Sequence, residues 1–349
     1  MDPRRPPDHE GIISRLALRT TAAGTLSGPC VPALFPHYLD KALRLFELLD
    51  RRLDAEQTRG FAQAFRQAIE QGFTTSPYAQ FLLEYGPAPG NATELACNLS
   101  IGLMPLEEQY RRWLGGGAGA SPHPFGQRPD ARVMDAAARL PVTATPTRPR
   151  ILDVGAGTGR NALALARAGR DVDAIEPVLA LADRLEMAAA NEELPIEVIR
   201  EDILGPDVRL AAGGYHLVVL SEVATHFSLP QLSDVFRKLG RSLAPDGALV
   251  MNAFVARDDY RPDDVATQAA PVLWSTFFSR AELENAATTA GLTLVAEDPC
   301  VVYEQARQPA GAWPPTDWYV LWAKGHNLFG ANAGETPIEL TWLEYRKRA

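Results

Sequence analysis

The chain has 349 residues, 46% of them hydrophobic and 22% charged, and a formal net charge of −9, which is length and apolar content for two domains or one enlarged domain. The acidic balance runs against a surface that grips phosphate backbones, so nucleic acid is not an expected partner. Three scattered cysteines, Cys30, Cys97 and Cys300, exclude a disulfide framework or a zinc cluster, and no apolar run approaches the length that spans a bilayer.

The opening stretch MDPRRPPDHEG has no apolar run behind its arginines, so it does not read as a signal peptide, and a cytoplasmic protein is expected. From Val31 the pattern turns helical, with Leu34, Tyr38, Leu39, Ala42, Leu45 and Leu48 at three- and four-residue steps. A second helix is predicted from Asp54 or Ala55 through Gln71, with Phe61, Phe65 and Ile69 on one face. A third is predicted from Ser76-Pro77, with Phe81, Leu82 and Tyr85 apolar, until GPAPG at Gly86–Gly90 breaks it. Leu106–Leu114 (LEEQYRRWL) reads as a charged amphipathic helix ended by three glycines. Residues 1–128 are therefore expected to form an α-helical region that recognises substrate, caps the rest, or makes a homodimer surface. Pro129–Leu140 then reads as a helix and Pro141–Pro149 as a linker.

Ile151–Ala166 reads ILDVGAGTGRNALALA. Ile151, Leu152 and Val154 suit a strand buried on both faces. Gly155, Gly157 and Gly159 follow, and Asn161–Ala166 returns to helix. A strand that breaks on glycines and re-enters a helix builds a nucleotide site at the carboxyl edge of an open α/β sheet. A dinucleotide fingerprint would put glycine at position 160, where Arg160 stands, and a phosphate loop would need a lysine that is absent. Asp153 would repel a pyrophosphate and suits a ligand carrying positive charge.

Asp153, Gly155, Gly157 and Gly159 match D-x-G-x-G-x-G, and the stretch resembles motif I of the class I S-adenosylmethionine (SAM)-dependent methyltransferases. The resemblance implies SAM as cofactor and a doubly wound, seven-stranded, mainly parallel sheet over residues 129–349. Further strands are read at Asp171–Ile175, Ile196–Ile199, Tyr215–Leu220, Ala248–Val255, Leu292–Val295 and Ile338–Tyr345, the last antiparallel in the family. By that resemblance Asp153 and the loop Gly155, Ala156, Gly157, Thr158 and Gly159, with Asn161, would hold the methionine part. Glu176 and Pro177 would take the ribose, Asp202 and Ile203 the adenine. Ser221 and Glu222 would line the carboxyl edge. Tyr110 would close over the methionine end, with Trp113 beside it on the substrate side.

Ser221–Phe227 resembles the E-V-x-x-H stretch that follows the fourth strand in several methyltransferases. Glu222 and His226 stand i, i+4, on one face if the segment is helical, and His226 is the candidate general base. Thr225 stands where a second metal-holding carboxylate would be, so no metal is expected. Ser279–Ala290 reads as a helix opened by Ser279 and Glu282. The insertion at about 305–336 carries Trp313, Trp318, Tyr319 and Trp322, which either wall an acceptor pocket or pack as core. Three functions follow from this reading. The first is methyl transfer to O or N of a small molecule. The second is transfer to a peptide or protein, and the third is a SAM-binding sensor without turnover.

Overall fold

Two units divide the chain, Met1–Pro105 and Leu106–Ala349. The computed structural model describes residues 22–49, 53–89, 91–115, 125–141 and 149–347, besides positions 8, 10 and 12, and leaves out the side chains of 91–94 and 112–115. The expected connector after Gly115 and the linker before Pro149 fall largely outside those residues, as does the side chain of Trp113.

In the first unit, β1 (Gly24–Pro29) precedes α1 (Phe35–Leu48) and α2 (Ala55–Thr75), and β2 (Ala79–Ala88) and β3 (Asn91–Leu103) follow. The helices arise as their apolar spacing predicts. Asp54 starts α2 with a capping box, accepting from the N–H groups of Glu56 and Gln57 at 2.8 and 2.9 Å while Gln57 accepts from the Asp54 N–H. The expectation of a purely helical region is corrected here. The segment after Ser76 is a strand in an antiparallel sheet ordered β1-β2-β3. Ala79, Phe81 and Leu83 alternate into the core against Phe35, Phe46, Phe65 and Ile69. Phe81, Leu82 and Tyr85 do not by themselves separate a period of two from one of 3.6; pairing with β3 decides for the strand. The unit also ends earlier than the predicted 128, and Leu106–Gly115 (α3) belongs with the second unit.

The second unit continues with α4 (Ala131–Ala138), β4 (Arg150–Val154), α5 (Arg160–Arg167), β5 (Asp171–Ile175), α6 (Leu179–Asn191), β6 (Ile196–Ile199) and β7 (Tyr215–Leu220). Then come α7 (Leu229–Ser242), β8 (Leu243–Ala256), α8 (Asp264–Ala269), β9 (Phe277–Phe278), α9 (Arg280–Thr289) and β10 (Leu292–Pro299), and finally α10 (Cys300–Gln305), α11 (Tyr319–Ala323), α12 (His326–Phe329) and β11 (Ile338–Lys347). The sheet runs β10-β11-β8-β7-β4-β5-β6, with the two-residue β9 added beside β8. All seven predicted strands are present, and β11 lies antiparallel between β8 and β10. The chain winds from β4 outward to β6, then crosses back to β7 on the other side of β4. That reversal opens a crevice at the carboxyl ends of β4 and β7, where an open α/β sheet places its ligand.

Helix α4 is held at both ends by buried charge from distant positions. Glu304 accepts from the N–H groups of Ala131 and Arg132 at 2.7 and 3.1 Å. Arg170 donates to the carbonyls of Ala137 and Leu140 at 3.0 and 3.3 Å. An anion at the N-terminus and a cation at the C-terminus both match the helix dipole. The helix is thereby a fixed post, and Asp130 stands at its start.

Candidate active site

The loop after β4 is shaped by glycine. Gly155, Gly157 and Gly159 have φ of +69°, +57° and +93°, a region where side chains cost energy. A Cβ at Gly155 would lie 2.3 Å from Val223 Cγ2, and one at Gly159 would lie 2.4 Å from Leu185 Cδ1. At Gly157 the nearest atom to a Cβ is on Phe125 at 3.7 Å, so there the glycine keeps open space. The Gly155 and Ala156 N–H groups bond the Ile175 carbonyl at 2.8 and 3.0 Å, tying the loop to the end of β5. Thr158 and Pro177 are half-buried beside it.

Asp153 is buried, and its Oδ2 has no hydrogen-bond partner among the described residues. Burial, with Asp130 nearby and only partly offset by Arg160, pushes its carboxyl up to about 7. Glu176 folds back on the loop. It accepts from the Gly157 N–H at 2.7 Å and the Val178 N–H at 2.8 Å, and burial raises its carboxyl to about 6. Asp202 is exposed and accepts from the Leu204 N–H at 2.9 Å, whereas Ile203 is buried in the core beneath.

Asn161 and Ser221 turn to a residue the sequence reading passed over. Asn161 bonds Asp130 twice, through the Asp130 N–H and carboxylate, both at 2.9 Å. Ser221 Oγ donates to Asp130 Oδ2 at 2.7 Å. Arg160 pairs with Asp130 at 3.0 Å and Glu222 at 2.8 Å. Burial opposes the guanidinium charge, but the two carboxylates outweigh it and hold it charged. The sequence did carry one signal for this network. An arginine as the first residue of a helix stands against the helix dipole, which is tolerable where buried acids face it.

Glu222 and His226 part company. The segment is not α-helical: Glu222 has φ of +60°, and a short 3₁₀ turn covers Ala224–His226. A left-handed non-glycine residue stores strain, and such residues gather at functional sites. The Glu222 N–H donates to Asn252 Oδ1 at 2.6 Å, and its Oε1 takes Arg160. His226 instead turns to Tyr110, with the Tyr110 hydroxyl 3.4 Å from Nε2. Burial pushes the imidazole down to about 4. Trp274, also left-handed at φ of +52°, stacks on Tyr110 with centroids 5.9 Å apart and 10° between planes. Phe125 completes an aromatic group beside Gly157. Neither Phe125 nor Trp274 has a local sequence signature.

The insertion divides. Trp313 and Tyr319 line a cavity that also touches Arg160 and Asp130. Trp322 is core, edge-on to Phe254 and donating to the Trp274 carbonyl at 2.9 Å. Trp318 is exposed at 38% and leans on Tyr319 and Trp322.

Comparison with known proteins bears on the same residues. Positions 126–297 match the family model of a methyltransferase domain. A stretch of 139 residues, 40% of the chain, is 33% identical to the biotin biosynthesis bifunctional protein BioCD of Bordetella avium (strain 197N). The chain spans 28% of the length of that curated relative. Among solved structures, geranyl diphosphate C-methyltransferase of Streptomyces coelicolor A3(2) is similar at 16% identity and a TM-score of 0.47, over 62% of this chain and 80% of that one. A geranyl diphosphate methyltransferase bound to SAM gives 14% identity and 0.48, over 62% and 85%.

Proposed function

We propose, from the premise that residues 126–297 form a class I SAM-dependent methyltransferase domain, that this chain moves a methyl group from SAM to an oxygen or nitrogen atom of a small molecule. The observation that carries the reading is the glycine loop beside Asp153. At Gly157 a side chain would occupy space that the fold leaves open, and Asp153 Oδ2 is a buried acceptor with no donor among the described residues. Around them Asp130 and Glu222 pair with one buried guanidinium, Arg160, which also offsets the charge of Asp153, while the buried Glu176 has no cation beside it among its bonded partners. An excess of buried carboxylate favours a ligand with positive charge. The residues present therefore fit the cofactor. Asp153 and Gly155–Gly159 would hold its methionine part, Glu176 and Pro177 its ribose, and Asp202 with Ile203 its adenine. Tyr110, Phe125 and Trp274 would wall the loop with aromatic faces that attract a cation.

When bound, SAM supplies a methyl group on a positively charged sulfur. The chain's own work is to align an acceptor with that carbon and exclude water, which is worth several orders of magnitude without any base. His226 is a neutral imidazole above about pH 5, given its value of about 4. A group that weakly basic accepts a hydrogen bond from the acceptor's O–H or N–H but removes little proton charge. We therefore assign it to orienting the acceptor. The cavity of about 350 Å3 beside Arg160 has the size of a small-molecule site.

Calorimetric titration of SAM and S-adenosylhomocysteine into wild type and Asp153→Ala tests the reading. Saturable binding of SAM by wild type and at least tenfold weaker binding by the variant is the expected result. Folded wild-type protein that binds neither ligand would sink it.

A further inference from the structure

Trp274 stands where a chain normally puts glycine. After α8 the turn at Ala270–Ser275 closes on two bonds, the Ser275 N–H to the Ala270 carbonyl at 2.8 Å and the Trp274 N–H to the Pro271 carbonyl at 3.2 Å. This pairing ends a helical turn on one left-handed residue, which is usually glycine and sometimes asparagine. Trp274 takes that place at φ of +52°, against the clash of its own Cβ. Such strain lasts only where the surroundings impose it. On the backbone side, the buried Trp322 of α11 donates its indole N–H to the Trp274 carbonyl at 2.9 Å. The Trp322 ring is itself packed against Phe254 of β8 and against Tyr319. On the ring side, the Trp274 indole stacks on Tyr110 and leans on His226, with centroids 5.9 and 6.1 Å apart. Tyr110 in turn packs on Phe125, which borders Gly157.

We propose that Trp322 is a positioning residue and Trp274 a specificity residue: the Trp322 bond fixes the strained turn that lays the Trp274 indole on Tyr110 and His226, and that indole favours SAM over S-adenosylhomocysteine. The proposal rests on the methyltransferase reading. By that reading the loop Gly155–Gly159 holds the methionine part of SAM, whose sulfur carries positive charge, and the aromatic group borders that loop. S-adenosylhomocysteine lacks the methyl and the charge on sulfur but keeps the rest, so an aromatic face attracts SAM more strongly. A glycine at 274 would make the same turn without strain; the chain keeps a ring there instead. The insertion at about 305–336 thereby acts on the site through a residue packed in the core.

Calorimetric titration at pH 7.5 tests this through one ratio, the Kd of S-adenosylhomocysteine over the Kd of SAM. Trp274→Gly keeps the turn and removes the ring, and the ratio should fall about three- to tenfold. Trp322→Phe keeps an aromatic ring in the core and removes the N–H, and the ratio should fall in the same direction. Trp322→Met takes its place if that variant does not fold. In the Trp274→Gly background the Trp322 change should lower the ratio no further, because it acts through Trp274. Trp342→Phe loses a different buried indole bond, to Glu304 Oε1 at 3.0 Å, and should leave the ratio as in wild type. An unchanged ratio in Trp274→Gly or in the Trp322 variant overturns the proposal. So does a Trp322 effect that persists in the Trp274→Gly background, or an equal fall in Trp342→Phe. Folded wild type that binds neither ligand removes the methyltransferase reading, and this proposal with it.

Discussion

Arg160→Met isolates the energetics of the site. Arg160 lies between Asp130 and Glu222, and the three side chains are 9%, 4% and 13% exposed. Removing the cation leaves two carboxylates buried without it, a change that costs about 3–5 kcal/mol where one partner of a buried pair is lost. For a unit the size of residues 106–349, that corresponds to a fall in unfolding midpoint of roughly 6–20 °C. The carboxylates can recover by taking up protons, so the loss should be smaller at pH 5 than at pH 8. Arg167→Met is the matched control. Its pair with Glu192 is shorter, 2.6 Å against 2.8 Å, but 52% and 40% exposed. Water screens such a pair, and it contributes little. Scanning calorimetry of both variants at the two pH values is the assay. Equal midpoint shifts for the two would refute the reasoning, because distance and not burial would then be deciding the energy.

Three further outcomes are expected. Gly155→Ala should destabilise more than Gly169→Ala: both have left-handed φ, +69° and +77°, but only the first would press a Cβ against Val223; melting curves compare them, and equal losses would mean the loop simply yields. Asp153 has its carboxyl raised from 3.8 to about 7, so its contribution is fully present below about pH 4 and is lost as pH rises through 7; Asp153→Asn should raise the midpoint at pH 8 relative to wild type more than at pH 5, while weakening SAM binding. His226, at about 4, should show no imidazole titration in NMR between pH 6 and 8, and its charging should cost stability only as pH falls from 6.5 toward 4; a signal absent from His226→Gln that titrates near 6.5 in wild type would contradict its burial.

The second unit was legible from sequence because its signals are local. Strands buried on both faces read as short apolar runs, and the glycines report backbone conformations that other residues resist. So β4 to β8, β10 and β11, the loop at Gly155–Gly159 and the start of α9 at Ser279 could all be read in one dimension. The second strand of the first unit could not. Phe81, Leu82 and Tyr85 fit a helix as well as a strand, and only the ladder to β3 decides between them. The spacing of Glu222 and His226 misled for a related reason. It places them together only on a helix, and the left-handed backbone at Glu222 sends one to Arg160 and the other to Tyr110.

What the sequence determined by itself was the sheet and the glycine loop at its carboxyl edge, because each is written in neighbouring residues. Tertiary structure alone decided which charges meet there. Asp130, Arg160, Glu222 and Glu304 come from four separate segments, and no periodicity relates them. Burial then sets their worth: the same ion pair that water nearly cancels at Arg167 becomes, at Arg160, the bond on which the site's geometry depends.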